Sequence, residues 1–319
     1  MLGAKRFLML LEALKSFSCF APAEFTTEAN PESTDEEFLS ACIEGGINRI
    51  SLGVQSFHEP SRKAVNRIGQ ADMLEKCLTM VSHLFPDAFS ADLIAGFPYQ
   101  SKKNILEDIK RLLDYKPAHV SFYSLSVEDG TPLEENLKSK QLSVPLCEEA
   151  DLMWLAGKNA LEKAGYEHYE VSSFALPGRQ CLHNLRYWHM DSWLGAGPAA
   201  SGTLIDEETG TAKRFTYKSD IEGYINTGRT KKPERTDYLK LTTFEELDKK
   251  SLIKESMLMG FRSRGGIDRE KFRRRFGMGI EDCIPQTLKR WNNDNKKIMF
   301  FLNNFLTEAF AEIETLQIM

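Results

Sequence analysis

Six residues, HNLRYW at positions 183–188, bring an imidazole, a carboxamide, a guanidinium and two adjacent aromatic rings together. His183 can ligate a metal through a ring nitrogen, and His189 follows just outside the stretch. Arg186 can meet a carboxylate in a two-point contact. Tyr187 and Trp188 offer flat apolar faces with one polar edge each. The stretch lies between a Pro177–Gly178 turn and the run GAGPAASG (195–202). Two readings stand at this point. It is a packed corner, with His183 and Asn184 bonded to backbone and Trp188 filling a core, or it is the wall of a site for a flat ligand.

A second group stands out by position. Glu28 ends EFTTE, Gln55 ends SLGVQ, Asp92 lies against Leu93 and Ile94, and Arg67 sits in VNRIG. A carboxylate such as Glu28 accepts two neighbouring hydroxyls, as on a ribose. The Gln55 amide both donates and accepts. An acid flanked by apolar residues, as Asp92 is, needs a partner, and Arg67 can pair a ligand carboxylate. Taken singly, each is a strand-end or salt-bridge residue. Taken together on successive units, a nucleotide-like site is the other reading, and spacing alone leaves both open.

The elements that must position these residues alternate in period. A helix is predicted over 4–17, where Phe7, Leu8, Leu10, Leu11, Leu14 and Phe17 share a face; an amphipathic helix explains this stretch better than a leader, because Glu12 and Lys15 interrupt its apolar run. Strands follow at 24–29, 47–54, 89–96, 119–127 and 166–171. Helices capped by Ser33 or Thr34, by Ser101 and near 147–164 lie between them, with a further apolar helical stripe from Met73 to Leu84. This spacing means βαβ units and a parallel sheet, with function at the C-terminal strand ends. The expected class is α/β, with a boundary after residue 172. Residues 205–240 read as polar and turn-rich, and 244–319 as mainly helical.

Composition excludes several classes. The 319 residues are 42% hydrophobic and 27% charged, with a formal net charge of -5, so the chain as a whole is not expected to bind nucleic acid. No apolar run reaches bilayer length. Cys19, Cys42, Cys77, Cys147, Cys181 and Cys283 are scattered, which forms no zinc knuckle, redox pair or clustered iron–sulfur motif and points to a reducing cytoplasm.

In order and spacing, EANPEST, GGINRISLGVQSF, VNRIG, DLIAGFPYQS, HVSFYSLSVEDGTP, YEVSSFALPG, HNLRYW and WLGAGPAASG resemble the radical S-adenosylmethionine (SAM) family of oxygen-independent coproporphyrinogen oxidases. Within it they look most like the haem-chaperone, HemW-type branch, of which HNLRYW is a mark. The resemblance covers about residues 4 to 270, and ESMLMGFRSRGGID looks like the family's small C-terminal helical domain. It implies a partial (β/α) barrel of radical SAM type over 1–172. It implies a second part over 173–319, holding the HNLRYW segment and a small sheet and helical domain. It implies SAM at Glu28, Gln55, Arg67, Asp92 and Ser124, and a [4Fe–4S] cluster. It implies haem at His183, Asn184, Tyr187 and Trp188, with His183 as iron ligand, His189 second and Arg186 toward a propionate. The implied partners are haem and haem-accepting proteins such as respiratory enzymes, and a homodimer is left open.

The family's C-x3-C-x2-C loop and glycine-rich segment have no counterpart in these residues. The chain therefore reads as lacking the first barrel strands, about 70 residues by the usual βαβ length, and no catalytic residue is assigned. Reductive SAM cleavage by this chain alone is not expected. Two other functions remain open: a coproporphyrinogen oxidase-like enzyme of porphyrin biosynthesis, and a DNA-binding module using Arg262, Arg264, Arg269, Arg273, Arg274 and Arg275.

Overall fold

The computed structural model describes residues 3–17, 21–67, 69, 71–229, 239–292, 294, 298 and 301–316. The order in the first part is α1 (Ala4–Lys15), β1 (Thr26–Ala29), a 3-10 turn (Pro31–Ser33), α2 (Glu36–Glu44), β2 (Arg49–Gln55), α3 (Glu59–Ala64), α4 (Ala71–Leu84), β3 (Phe89–Ala95), α5 (Lys102–Leu113), β4 (His119–Ser124), α6 (Pro132–Lys138), α7 (Cys147–Lys163), β5 (Glu167–His168) and β6 (Ser173–Ala175). Strands β1 to β4 lie side by side and parallel in chain order. The hairpin of β5 and β6 then closes the sheet antiparallel to β4, in the order β1-β2-β3-β4-β6-β5.

Burial follows the two-residue alternation of the strands. Ile50, Leu52, Val54, Phe89, Ala91, Leu93, Val120 and Phe122 are almost fully buried and form one core with Leu39, Leu74, Leu78, Ile105, Ile109 and Leu161 from the helices. Gly157 on α7 allows a close approach to this core. A Cβ there would stand 2.3 Å from the Phe122 ring and 3.0 Å from Ile109.

Helix starts follow their local chemistry. Ser101 accepts the Asn104 amide, and Asn104 returns a bond to the Ser101 amide, as a capping box does. The start of α2 differs from expectation: Asp35 caps it by accepting Phe38 N–H at 2.8 Å. The Ser33 and Thr34 hydroxyls turn back to the Asn30 carbonyl instead, because Pro31 starts a 3-10 turn there. Helices α3 and α6 are short and lack a long apolar period, so no sequence pattern announces them.

The chain divides into two compact units between Cys181 and Leu182, beyond the expected boundary at 172, since Ser173–Ala175 is a strand of the first sheet. The second unit runs α8 (Leu182–Trp188), β7 (Ser201–Asp206), β8 (Thr211–Tyr217), α9 (Ile221–Arg229), β9 (Thr242–Leu247), α10 (Lys249–Gly260), α11 (Arg269–Phe276), α12 (Ile280–Cys283), α13 (Pro285–Arg290) and α14 (Leu302–Glu314). β7, β8 and β9 form an antiparallel meander; β8 falls in the stretch 205–240 expected to be turn-rich, and β9 runs into the part expected to be helical. The helices bury Leu252, Ile253, Met257, Phe276, Ile284, Phe305 and Ile313 in a separate core. No helix among the described residues is long and apolar enough to cross a membrane.

Candidate functional site

The alternation that builds the first core leaves a polar row on the opposite face of the sheet. Ser51 on β2, Asp92 on β3 and Ser121 on β4 share that phase, and Glu28 on β1 pairs in register with Ser51. Ser51 donates its hydroxyl to Asp92 at 3.4 Å. Burial, aided by the neighbouring Glu28 charge, pushes the Asp92 carboxyl up to about 6, against hydrogen bonds from Ser121 and Ser51 that favour the anion. Tyr123 also titrates above its ordinary value, through burial and then the Asp92 charge. Ser124 is exposed, pairs with Ala95 and has the phase of Phe122, so it stands outside this row.

Gln55 sits where β2 breaks register. Leu52 pairs with Ala91 but Gln55 pairs with Leu93, so β2 carries an extra residue there. Ser56 N–H donates to the Val54 carbonyl at 2.9 Å, and Gln55 between them has φ 66°. This is a γ-turn of the rare strained hand, a conformation that costs about 1–3 kcal/mol for a side-chain-bearing residue. Bulges of this kind re-aim a side chain beside a site. Gln55 Oε1 is buried and has no hydrogen-bond partner. A Cβ at Gly53 would meet Gln55 Nε2 at 2.8 Å and Asn30 Oδ1 at 3.4 Å, so the Gln55 amide lies over Gly53 toward Asn30.

Asn30 links the remaining member. Arg67 Nη1 donates to Asn30 Oδ1 at 2.9 Å. Glu28, Asn30 and the N-terminal end of α1 line a groove of about 450 Å3, within the range of small-molecule sites. Glu28, Gln55 and Asp92 therefore lie on the neighbouring strands β1, β2 and β3, and Arg67, in the turn after α3, reaches β1 through Asn30, to which its place in EANPEST assigns no role; of the four only Glu28 lines the groove. Gln100 is a further residue that sequence reasoning missed: its Oε1 accepts Gly96 and Phe97 amides at 2.7 and 3.1 Å and closes the end of β3. A buried carboxyl, an exposed carboxylate and an orphaned carboxamide oxygen fit a ligand with an amino-acid head group and a ribose diol.

The thiols fit a cluster less well. Cys42, Cys77, Cys181 and Cys283 are buried and Cys147 is exposed, and Cys19 lies outside the described residues. Burial pushes Cys42 and Cys77 up to about 12 and Cys283 to about 11, which disfavours the thiolates that ligate iron. Among the described residues no group of three His, Cys, Asp or Glu side chains could hold a metal ion.

In the second unit, HNLRYW makes up α8 after its first residue, Leu182. His183 and Tyr187 are one turn apart and meet edge-on, ring centroids 4.9 Å apart. Tyr187 meets Trp193 edge-on at 5.0 Å. Trp193 is fixed by mutual backbone bonds with Thr203 of β7, both 3.0 Å. His183 is exposed, and Asn184, Tyr187 and Trp188 are half-buried. Trp188 turns inward instead: Arg262 lies 6.0 Å from its ring centroid, and it borders a cavity of about 30 Å3 with Ser256 and Phe272. That space suits water and not a tetrapyrrole. Arg186 pairs with Asp191 at 2.9 Å, and Asp191 also holds Lys271.

The arginine row of the C-terminal helices is not a free basic stripe. Arg275 is buried and grips Glu207 with two bonds of 2.9 and 2.5 Å, while Arg269 and Arg273 face Glu281. Three of the six arginines thus share two carboxylates, Glu207 and Glu281, which weakens the case for a phosphate-binding face.

Residues 6–112 match the radical SAM superfamily model. The chain is 30% identical to the heme chaperone HemW of Lactococcus lactis over 298 residues, covering 90% of this chain and 75% of that protein. It is 35% identical to HemW of Escherichia coli over 58% of this chain and 48% of that one. It is 31% identical to the mouse mitochondrial radical S-adenosyl methionine domain-containing protein 1 over 77% of this chain and 55% of that one. The chain thus spans from about half to three quarters of the length of these relatives. In three dimensions it resembles coproporphyrinogen III oxidase (HemN) of E. coli, a radical SAM enzyme. The TM-score is 0.73 at 16% identity, over 98% of this chain and 75% of that one, a likeness of fold.

Proposed function

This chain belongs to the HemW-type haem-chaperone family of radical SAM proteins, and from that premise we propose that it binds haem at the α8 segment, for transfer to haem proteins, and SAM on the polar face of its first sheet. The observation that carries the haem reading is the aromatic series His183–Tyr187–Trp193, whose outermost member is an exposed imidazole. Tyr187 fixes the His183 ring from one edge, and Trp193, tied to β7, fixes Tyr187. An imidazole held in this way is a fitting axial ligand for haem iron. Tyr187 adds an apolar face for the porphyrin. Asn184 adds an amide beside it, and Trp188 forms the wall behind.

On the first sheet, Glu28 would take the ribose hydroxyls. The Gln55 carboxamide oxygen would accept an N–H of the ligand, and Asp92 would face its cationic groups. Arg67, steadied by Asn30, would meet the carboxylate. SAM, when bound, supplies a sulfonium carbon centre. The described thiols do not fit a [4Fe–4S] cluster, so no electron-transfer step is assigned to this chain. The coproporphyrinogen oxidase reading would require that step, and HNLRYW favours the chaperone. Scattered thiols favour the cytoplasm.

The test is a haem titration of the purified chain, followed by Soret absorbance. The parent protein should bind haem with a ligand-field spectrum typical of histidine. His183→Ala should weaken binding by about tenfold or more, as loss of an axial ligand worth upward of about 1.4 kcal/mol requires, and should shift the Soret band. An unchanged affinity and spectrum would remove His183 from the site.

A further inference from the structure

Arg62 is a buried cation of the first unit, and the proposed haem and SAM sites assign it no role. Its side chain is 4% exposed. Nη1 donates to the carbonyls of Val54 at 2.9 Å and Ser56 at 3.1 Å, the residues on either side of Gln55. Nη2 donates to Glu32 Oε1 at 3.3 Å and to the Gly69 carbonyl at 3.4 Å. One guanidinium thus touches three segments. The first is the γ-turn centred on Gln55, the second follows Asn30, and the third follows Arg67. Gly69 packs onto this pair closely: a Cβ there would stand 2.9 Å from Glu32 and 3.3 Å from Arg62 Nη2.

The planar five-donor fork explains why the position is an arginine. A lysine ammonium has a single nitrogen and cannot span carbonyls on opposite sides of a turn while also reaching a carboxylate. The γ-turn itself is strained, and such a conformation persists only where its surroundings over-determine it. Two further bonds do so: Asp108 accepts the Ser56 hydroxyl at 2.5 Å and the Phe57 amide at 3.0 Å. Arg62 binds the turn from the carbonyl side and Asp108 from the donor side.

We infer that Arg62 is a positioning residue, whose guanidinium clamps the Gln55 γ-turn, the Asn30–Glu32 segment and the Gly69 carbonyl into one arrangement and so pre-forms the pocket for an adenosyl ligand. The ligand part of this inference rests on the proposed SAM site; the clamp does not. Its side-chain partners are all protein groups, so on this reading it acts through Gln55, Asn30 and Arg67.

Two measurements on the full chain separate these parts. The first is amide hydrogen exchange of the ligand-free protein for Arg62→Lys against the parent. Exchange should rise together around Asn30, around Gln55–Phe57 and at Gly69, while β3 and β4 keep their protection. Unchanged exchange at all three places would overturn the clamp. Glu32→Gln is the second variant should Arg62→Lys fold poorly; it loosens one leg and should raise exchange around Asn30, and no change there would count against the clamp. The second measurement is SAM binding by calorimetry in a double-mutant cycle. Arg62→Lys should weaken binding about tenfold in the parent and by less than about twofold in a Gln55→Ala background, the non-additivity expected when one residue works through another. Additive losses would overturn the route through Gln55. A parent chain that does not bind SAM would sink the SAM reading, while the exchange data still decide the clamp.

Discussion

The Ser51 hydroxyl on β2 donates to the Asp92 carboxylate on β3 at 3.4 Å, joining two parallel strands across the polar face of the sheet. The Asp92 carboxyl titrates at about 6 instead of 3.8, chiefly because it is buried. Below pH about 4 the folded and unfolded chains both hold this proton. As pH rises to about 6 the unfolded chain loses it first, so the folded state binds more protons and stability falls across that window. Asp92→Asn should therefore raise stability at pH 7 by about 1–3 kcal/mol, since each tenfold difference in proton affinity between the folded and unfolded states is worth about 1.36 kcal/mol. It should change little near pH 4. Denaturant melts at the two pH values check this; an equal effect at both would mean that ionisation is not the cause. If Asp92 meets a cationic ligand group, SAM affinity should rise between pH 5 and 7.5 in the parent and stay flat in the variant.

Gly157 carries a prediction about packing. Its α-carbon faces the Phe122 ring, and an added methyl would lie 2.3 and 2.5 Å from two ring carbons. Neither can move freely, because Phe122 is fully buried and lies near-parallel to Trp154, ring centroids 6.3 Å apart. Gly157→Ala should lose about 1–3 kcal/mol despite alanine's better helix propensity, since overpacking outweighs it. A chemical denaturation midpoint that rises would show that the core has room.

Much of this was legible in the sequence. The β-branched and aromatic runs around Ile50, Phe89 and Val120 have a two-residue period, and the apolar stripes of α4 and α5 a helical one, so the parallel part of the sheet follows from pattern; the antiparallel hairpin of β5 and β6, where one strand over 166–171 is expected, does not. Ser101 was legible as a cap because Asn104 stands three residues on. The positions of Glu28 and Gln55 at the ends of their strands and of Asp92 within β3 were legible from the strand pattern. What was not legible depends on tertiary geometry. The γ-turn at Gln55 has no glycine to announce it, because Arg62 on the next helix and Asp108 on the distant α5 hold it. Ser124 is implied at the site by the resemblance alone, and the alternation turns it to the phase of Phe122. Trp193 heads the motif WLGAGPAASG without a role that the motif reveals, since its contact with Tyr187 depends on the β7 bridge.

Arg275 tests whether the basic C-terminal helices serve structure. It is 3% exposed, donates twice to Glu207 and once to the Met190 carbonyl at 2.9 Å. Removing it leaves a buried carbonyl unsatisfied and a carboxylate that can still reach water. Arg275→Met should cost about 1–3 kcal/mol, the penalty for orphaned buried polar groups. Glu207→Gln should cost less, because Glu207 is half-exposed and surface-side pairs contribute little. Duplex DNA should bind neither parent nor variant at physiological salt, and salt-sensitive binding lost in Arg275→Met would reverse this reading.

In the α8 segment, packing and ligation are separable. Trp193 touches Tyr187 but not His183 in the aromatic series, and its backbone is held by Thr203 whatever its side chain. If Tyr187 orients the imidazole, then Trp193→Ala should loosen Tyr187 and weaken haem binding by about three- to tenfold, in line with about 0.5–1.5 kcal/mol for an aromatic pair. The Soret position should stay that of a histidine complex, because the ligand atom is unchanged. Trp193→Phe keeps an edge-on partner and should restore most of the affinity. Loss of affinity with a shifted Soret band in Trp193→Ala would mean that Trp193 does more than support Tyr187, while full affinity in Trp193→Ala would mean that His183 is oriented by other contacts.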